Sequence, residues 1–225
     1  MWAGIPRIGE AQLKPILRVR AETDVAKVTL SNCLDPTSRY AYVANYNDGT
    51  VSQYSIGAGG VLIAMGNPTV TAASAFSVAV APSGRFAYVA SFSGNVVSQF
   101  AIGADGSLSA IAPATVGTGT SPHSIAIDPT GRYAYVPNAN DDTVSQYAID
   151  SGTGSLNAIG AGSVTAGHLP SSIAVDPTGR FTYVANAADG NIHQYDVAPA
   201  DGALTYSSFV GGLSDPQSIV TINAR

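Results

Sequence analysis

The chain has 225 residues, only 11% of them charged, and a formal net charge of −5. Both lysines and three of the arginines lie within the first 27 positions; beyond them five arginines stand against twelve aspartates, and no glutamate follows Glu22. A region this poor in cations builds no groove that neutralises phosphates, so nucleic acid is not expected as a partner. No apolar run approaches the length of about 18 residues that a membrane span needs.

In chain order, residues 1–28 match nothing else in the sequence. They are set apart as an atypical N-terminal segment, able to complete a blade of the unit formed by residues 29–225. Pro6, Arg7 and Glu10 interrupt the continuous apolar region that a signal peptide requires. The protein is therefore expected to stay inside the cell or to have lost an export signal. Cys33 is the single cysteine, which excludes an intramolecular disulfide and suits a small core residue.

Four related segments follow. DPTSRYAYVANYNDGTVSQYSI begins at Asp35, APSGRFAYVASFSGNVVSQFAI at Ala81, DPTGRYAYVPNANDDTVSQYAI at Asp128 and DPTGRFTYVANAADGNIHQYDV at Asp176. Their prolines, Pro36, Pro82, Pro129 and Pro177, are separated by 46, 47 and 48 residues. Arg39, Arg85, Arg132 and Arg180 keep the same step, as do Tyr42, Tyr88, Tyr135 and Tyr183. Such a period belongs to stacked or radial units, none able to bury its apolar face alone.

The third copy shows what one unit contains. Ser124–Ile127 alternates as a strand, and Asp128-Pro129-Thr130-Gly131 is a turn in which proline presets φ and glycine supplies positive φ. Residues 133–136 make a second strand, Asn140-Asp141-Asp142 a turn, and Thr143–Ile149 a third strand. Ser151 to Gly154 turns again, and Ser155–Ile159 starts a fourth strand ahead of a Gly-rich link. No window in the repeats carries helical periodicity. The expected fold is all-β, a β-propeller of four-stranded antiparallel blades with four full repeats plus a partial fifth.

The YVAN or YVPN strand, the VSQY strand, the G-x-L turn and the PxSIAxDPTGR run resemble the YVTN-type repeats of the lactonase-family β-propellers, which include 6-phosphogluconolactonase-like proteins. The resemblance covers about residues 29–223. It implies a ring of usually seven blades, which at this period needs roughly 330 residues. Here Pro216 to Ile222 repeat only the first strand of a fifth copy, and the edge of an orphan strand must be paired or covered. Two solutions stay open: residues 5–28 supply the other strands of a fifth blade, or a second copy closes the ring as a homodimer. A chain that forms part of a longer gene product is the remaining reading.

Strand direction puts the links into each first strand and the turns between second and third strands on one face. That face gathers His123, His168, Asn45, Asp48, Asn138, Asp141, Asp142, Asn186 and Asp189 as a candidate ligand-binding rim, with the DPTGR turns on the other. The resemblance implies a role for Pro122-His123, since lactonase-family propellers often carry a Pro-His pair at the channel mouth. Such a histidine can act as general base on a water attacking a lactone. The Asn-Asp-Gly turns offer calcium-type oxygens, but hairpins need that chemistry anyway, so no metal is expected. Nor is a cofactor, since no cofactor motif occurs. His193 reads as a surface substitution. With no Lys or Arg from the repeats on the rim, the expected function is a non-catalytic binding or structural module for a protein or small-molecule ligand. The alternative is a lactone hydrolase with His123 as base.

Overall fold

A computed structural model describes residues 32–37, 39–66 and 68–222; the segment 1–28 lies outside the described residues. The chain is all-β and folds as four antiparallel sheets, each strand hydrogen-bonded to the next in sequence. Blade 1 holds β1 (Asn32–Leu34), β2 (Tyr40–Asn45), β3 (Thr50–Ile56) and β4 (Leu62–Ala64), with β5 (Thr69–Val70) extending its outer edge along β3. Blade 2 holds β6 (Ala75–Val80), β7 (Phe86–Ser91), β8 (Val96–Ile102) and β9 (Leu108–Gly117). Blade 3 holds β10 (Ala126–Ile127), β11 (Tyr133–Asn138), β12 (Thr143–Ile149) and β13 (Leu156–Thr165). Blade 4 holds β14 (Pro170–Val175), β15 (Phe181–Asn186), β16 (Asn191–Val197) and β17 (Leu204–Val210). No helix among the described residues is long and apolar enough to cross a membrane.

The sequence pattern places the inner three strands of each blade closely. The outer strand runs farther than expected: β13 continues to Thr165 through the Gly-rich stretch. Gly160 and Gly162, both at positive φ, let the strand change register there and resume pairing with Ser145 to Thr143.

The repeated turns are closed by aspartate. Asp128 Oδ1 accepts the amides of Arg132 at 2.7 Å and Tyr133 at 2.7 Å, while Oδ2 accepts the Thr130 amide at 3.0 Å. Asp35 and Asp176 hold their turns in the same way. In the second copy Ala81 stands at this position, and the Ser83 hydroxyl accepts the Arg85 amide at 3.3 Å instead.

The core lies between blades rather than within them. Its three buried clusters combine residues of blades 1 and 2, 2 and 3, and 3 and 4. Each interface repeats one set of contacts. Tyr42, Tyr88 and Tyr135 are fully buried, and their hydroxyls donate to the carbonyls of Gly106, Gly154 and Gly202 in the following blade at 2.8, 2.7 and 2.7 Å. Those glycines lie flat under Tyr40, Phe86 and Tyr133, whose rings would be 2.3–2.4 Å from any added Cβ. Gln53, Gln99 and Gln146 accept the amides of Leu108, Leu156 and Leu204, also in the following blade, at 2.9, 2.7 and 2.6 Å. The recurring glutamines are thus inter-blade connectors.

Blade 4 repeats the motif with Phe181, Tyr183 and Gln194, but no following blade receives them among the described residues. Of the described residues, only the C-terminal segment lies there. The Ser171 hydroxyl donates to the Pro216 carbonyl at 2.8 Å, the Ile219 amide to Ser172 Oγ at 3.2 Å, and the Thr221 hydroxyl to the Val175 carbonyl at 2.6 Å. The segment occupies the first-strand slot of a fifth blade, with Val220 and Ile222 80% and 84% exposed.

Two substitutions test the interface. Tyr88→Phe should cost about 1–3 kcal/mol, because it strands the buried Gly154 carbonyl. Gly154→Ala should cost about 2–5 kcal/mol, combining a Cβ driven into the Phe86 ring with a left-handed backbone. Denaturant titration followed by far-UV circular dichroism measures both, and the spectrum of each variant should stay that of a β protein.

Candidate functional site

The links and the second-to-third-strand turns do share one face. The Asp141 carboxylate accepts the Thr120 amide at 2.5 Å, Asn95 Oδ1 accepts the Ser121 amide at 2.9 Å, and Asp142 Oδ1 accepts the Leu169 amide at 2.9 Å. The first of these bonds stays within blade 3. The other two tie the turn of one blade to the link of the next, from Asn95 and Asp142, both of which take up positive φ.

His123 enters this face through its amide, which donates to the Pro137 carbonyl at 3.1 Å beside the Pro122–Asn138 bridge. Its ring stacks on Phe76 at 4.6 Å and 14°, and on Phe92 at 5.2 Å and 21°. Phe76 and Phe92 stack at 5.7 Å, and Tyr46 meets them edge-on at 5.8 Å and tilted at 5.9 Å. Four half-buried rings from blades 1, 2 and 3 therefore form one aromatic mouth. Burial disfavours the imidazolium and lowers the His123 pKa below the ordinary 6.5. No carboxylate, hydroxyl or cation hydrogen-bonds this ring among the described residues.

The sequence reading found His123 but missed Tyr46, Phe76 and Phe92. The signal was present in the repeat alignment. Phe76 and His123 share one position, which is Ser171 in blade 4; Tyr46 and Phe92 share another, which is Ala139 and Ala187 in blades 3 and 4. Rings replace small residues only where blades 1 to 3 meet the mouth.

The amides of the expected rim have a different place. Asn138 and Asn186 are fully buried, and Asn45 is half-buried. Asn45 Nδ2 donates to Thr50 and Ser52 hydroxyls at 2.9 Å each, and Asn138 Nδ2 to Thr143 and Ser145 hydroxyls at 3.0 and 2.9 Å. Asn186 Nδ2 donates to Asn191 Oδ1 at 2.8 Å, and its own Oδ1 accepts the Gly167 amide at 3.2 Å. These three side chains brace hairpins from within and shape the rim without facing it. Asp48 and Asp141 are exposed on its turns.

His168 sits apart from the mouth, at the junction of blades 3 and 4. Its Nδ1 lies 3.0 Å from Asp189 Oδ1 and its Nε2 3.5 Å from Asp142 Oδ2, while its amide donates to Asp189 Oδ2 at 2.8 Å. The hydrogen bond to Asp189, and then the charge of Asp142, raise the His168 pKa above 6.5; the His168 amide, and then its ring, lower that of Asp189. Because the two carboxylates engage opposite ring nitrogens, they share no common point, and no metal-binding group of His, Cys, Asp or Glu occurs among the described residues.

His193 departs from its expected place on the surface. It is half-buried on blade 4 against Tyr206, at 5.1 Å between centroids, and burial lowers its pKa. The four repeat arginines lie on the opposite face, each 4.9–5.2 Å over the ring that follows it. A cavity of about 390 Å³ there is lined by Arg132, Arg180 and Phe181, remote from His123. Arg85 also donates to the Ser151 and Gly152 carbonyls of blade 3 at 3.1 and 3.3 Å.

Comparison with known proteins agrees with this architecture. A candidate 6-phosphogluconolactonase from Bacteroides uniformis ATCC 8492 superposes with a TM-score of 0.75 at 19% identity, over 82% of this chain and 55% of its own. A functionally unknown protein from Desulfotomaculum acetoxidans DSM 771 gives 0.74 at 21% identity, over 92% and 64%. The hydrazine synthase of Kuenenia stuttgartiensis gives 0.62 at 17% identity, over 86% and 53%. At these identities the likeness is one of fold, and the chain spans less than two thirds of each of these structures. No curated protein matches the sequence. The family described as Lactonase, 7-bladed beta-propeller matches residues 12–215, and the chain belongs to that family.

Proposed function

We propose that the aromatic mouth is a binding site for a small neutral ligand with a flat apolar face, such as a sugar ring or its lactone, and that the chain acts as a binding module. The observation that carries this reading is the surroundings of His123: Phe76 and Phe92 stacked on its ring, Tyr46 packed against both, and no polar partner for the ring among the described residues. Aromatic faces offer large, rigid contact area with little side-chain entropy to lose. Catalysis of lactone opening needs more. A donor must meet the developing oxyanion, and a base must be held in orientation. The repeat arginines are on the far face, and His168 is already engaged by two carboxylates.

The rim also disfavours anions. Asp48 and Asp141 stand exposed beside the links. Two unit charges about 8 Å apart at an effective dielectric near 20 repel by roughly 2 kcal/mol before screening. A phosphorylated lactone meets such repulsion with no repeat-borne cation to offset it.

The second reading is a lactone hydrolase. Family membership favours it, as does a neutral His123 imidazole whose burial keeps a nitrogen lone pair available near neutral pH. Titration calorimetry with a neutral aldonolactone and its 6-phosphate, beside a pH-stat assay of hydrolysis, separates the two. The binding reading expects uptake of the neutral lactone, weaker uptake of the phosphate, and hydrolysis at the uncatalysed rate. Phe76→Ala should then weaken binding by about tenfold or more. Turnover abolished by His123→Ala would establish the hydrolase instead.

The histidines supply a pH test of the same geometry. In an NMR titration His123 should titrate below 6.5 and His168 above it, and Asp189→Asn should lower His168 and, through the lost charge, His193, but not His123. The effects on stability have opposite signs. His123 has a depressed folded pKa, so its effect on stability is lost as pH falls through 6.5 and below. His168 has a raised folded pKa, so its contribution is present below 6.5 and is lost as pH rises past the folded value. A His123 that titrates above 6.5 would contradict its burial among the rings.

A further inference from the structure

We propose that the two open edges of the blade array dock on each other, so that two copies of the chain close one eight-bladed ring, blade 4 of each against blade 1 of the other. This stands independently of the ligand assigned to the mouth.

Each internal interface has an offering side and a receiving side. The preceding blade offers an aromatic ring, a tyrosine hydroxyl and a glutamine oxygen. The following blade receives them with a turn glycine and a leucine amide, and adds an aromatic residue on its third strand. Blade 4 carries the whole offering set in Phe181, Tyr183 and Gln194. All three are half-buried, whereas Tyr42, Tyr88 and Tyr135 are fully buried.

Blade 1 carries the whole receiving set in Tyr54, Gly60 and Leu62. Gly60 has φ +80, close to the +83, +79 and +77 of Gly106, Gly154 and Gly202. The three internal glycines each lie under an aromatic ring, while among the described residues no atom comes within 4 Å of where a Cβ on Gly60 would stand. Leu62 is half-buried where Leu108, Leu156 and Leu204 are buried, and Tyr54 is half-buried where Phe100, Tyr147 and Tyr195 are buried. Among the described residues the molecule thus holds a ring with no seat and a seat with no ring, built from the same residue types that join its own blades.

A head-to-tail contact closes into a ring when its rotation divides a full turn, and otherwise runs on as a filament. Blades of a seven-membered propeller turn about 51° each, and those of an eight-membered one about 45°, so the change is about 6° per interface; both sizes lie within the known range of propellers. The C-terminal segment fits this closure. Residues 218–222 lie in the first-strand slot next to β14, where the incoming blade 1 needs its inner strand. The incoming blade takes this segment in place of its own three-residue β1, an exchange of equivalent elements between copies.

A pocket opens at this edge. It measures about 480 Å³ and is lined by Pro177, Tyr183 and residues 219–222. At the internal interfaces the equivalents of Pro177 pack on a glycine of the next blade, Pro36 on Gly84, Pro82 on Gly131 and Pro129 on Gly179, whereas blade 1 carries Ser38 at that position in the sequence.

Light scattering coupled to size exclusion, on the full chain across a dilution series, tests the closure. Wild type should run as two copies. Gly60→Asn, which keeps a residue tolerant of positive φ but fills the ring seat, should weaken the association at least about tenfold. Phe181→Ala, on the other edge, should do the same. Gly160→Asn is the control, at positive φ with nothing within 4 Å but on an internal blade, and should remain two copies. Unchanged far-UV spectra check that the variants fold. A single-copy wild type, an open polymer, or a two-copy species indifferent to both edge variants would overturn the proposal.

Discussion

The inter-blade contact of ring on glycine is what the rest of this protein depends on. A single blade is four short strands with apolar residues on both faces, and it has no interior of its own. The seat formed by Gly106, Gly154 or Gly202 lets the backbone of one blade lie flat against an aromatic ring of the one before. The tyrosine hydroxyl and the glutamine oxygen then satisfy the backbone groups which that close approach buries. Apolar burial drives the packing. The hydrogen bonds set its register, because a buried carbonyl or amide left without a partner costs more than a formed bond contributes.

That rigid stacking positions the functional face. The aromatic mouth takes residues from three blades, so its geometry is set by inter-blade registry rather than by any local loop. The turns clasp the links for the same reason: the side-chain oxygens of Asn95 and Asp142 fix the loop entering the next blade. At such turns the carboxylates are spent on architecture. The His168 cluster likewise serves as a clasp between blades 3 and 4.

Much of the fold was legible in the residues. Proline, glycine and arginine at a common spacing mark one turn per blade, and Thr143–Ile149 is a strand in both sequence and structure. The path of β13 was not legible, since consecutive glycines and alanines carry no alternation to read. In the site, His123 was legible as a break in the repeat. The three other rings were not read, because their proximity arises only when neighbouring blades are stacked. Asn45, Asn138 and Asn186 were assigned to the rim from strand direction, which fixes the end of the blade a residue occupies but not the way its side chain turns. Whether an amide faces solvent or its own hairpin depends on the serine and threonine hydroxyls across the ladder, which sequence distance does not reveal. His193 shows the converse, a polar residue drawn into half-burial by Tyr206.

The most direct measurement is native-state hydrogen exchange at the amides of Leu108, Leu156 and Leu204, each of which donates to a glutamine of the preceding blade. If inter-blade contacts hold the molecule together, these three amides exchange only through global unfolding, with equal free energies, and Gln99→Ala accelerates Leu156 ahead of the other two. Exchange at rates typical of exposed strand edges, or blades that open one at a time with unrelated free energies, would contradict the account.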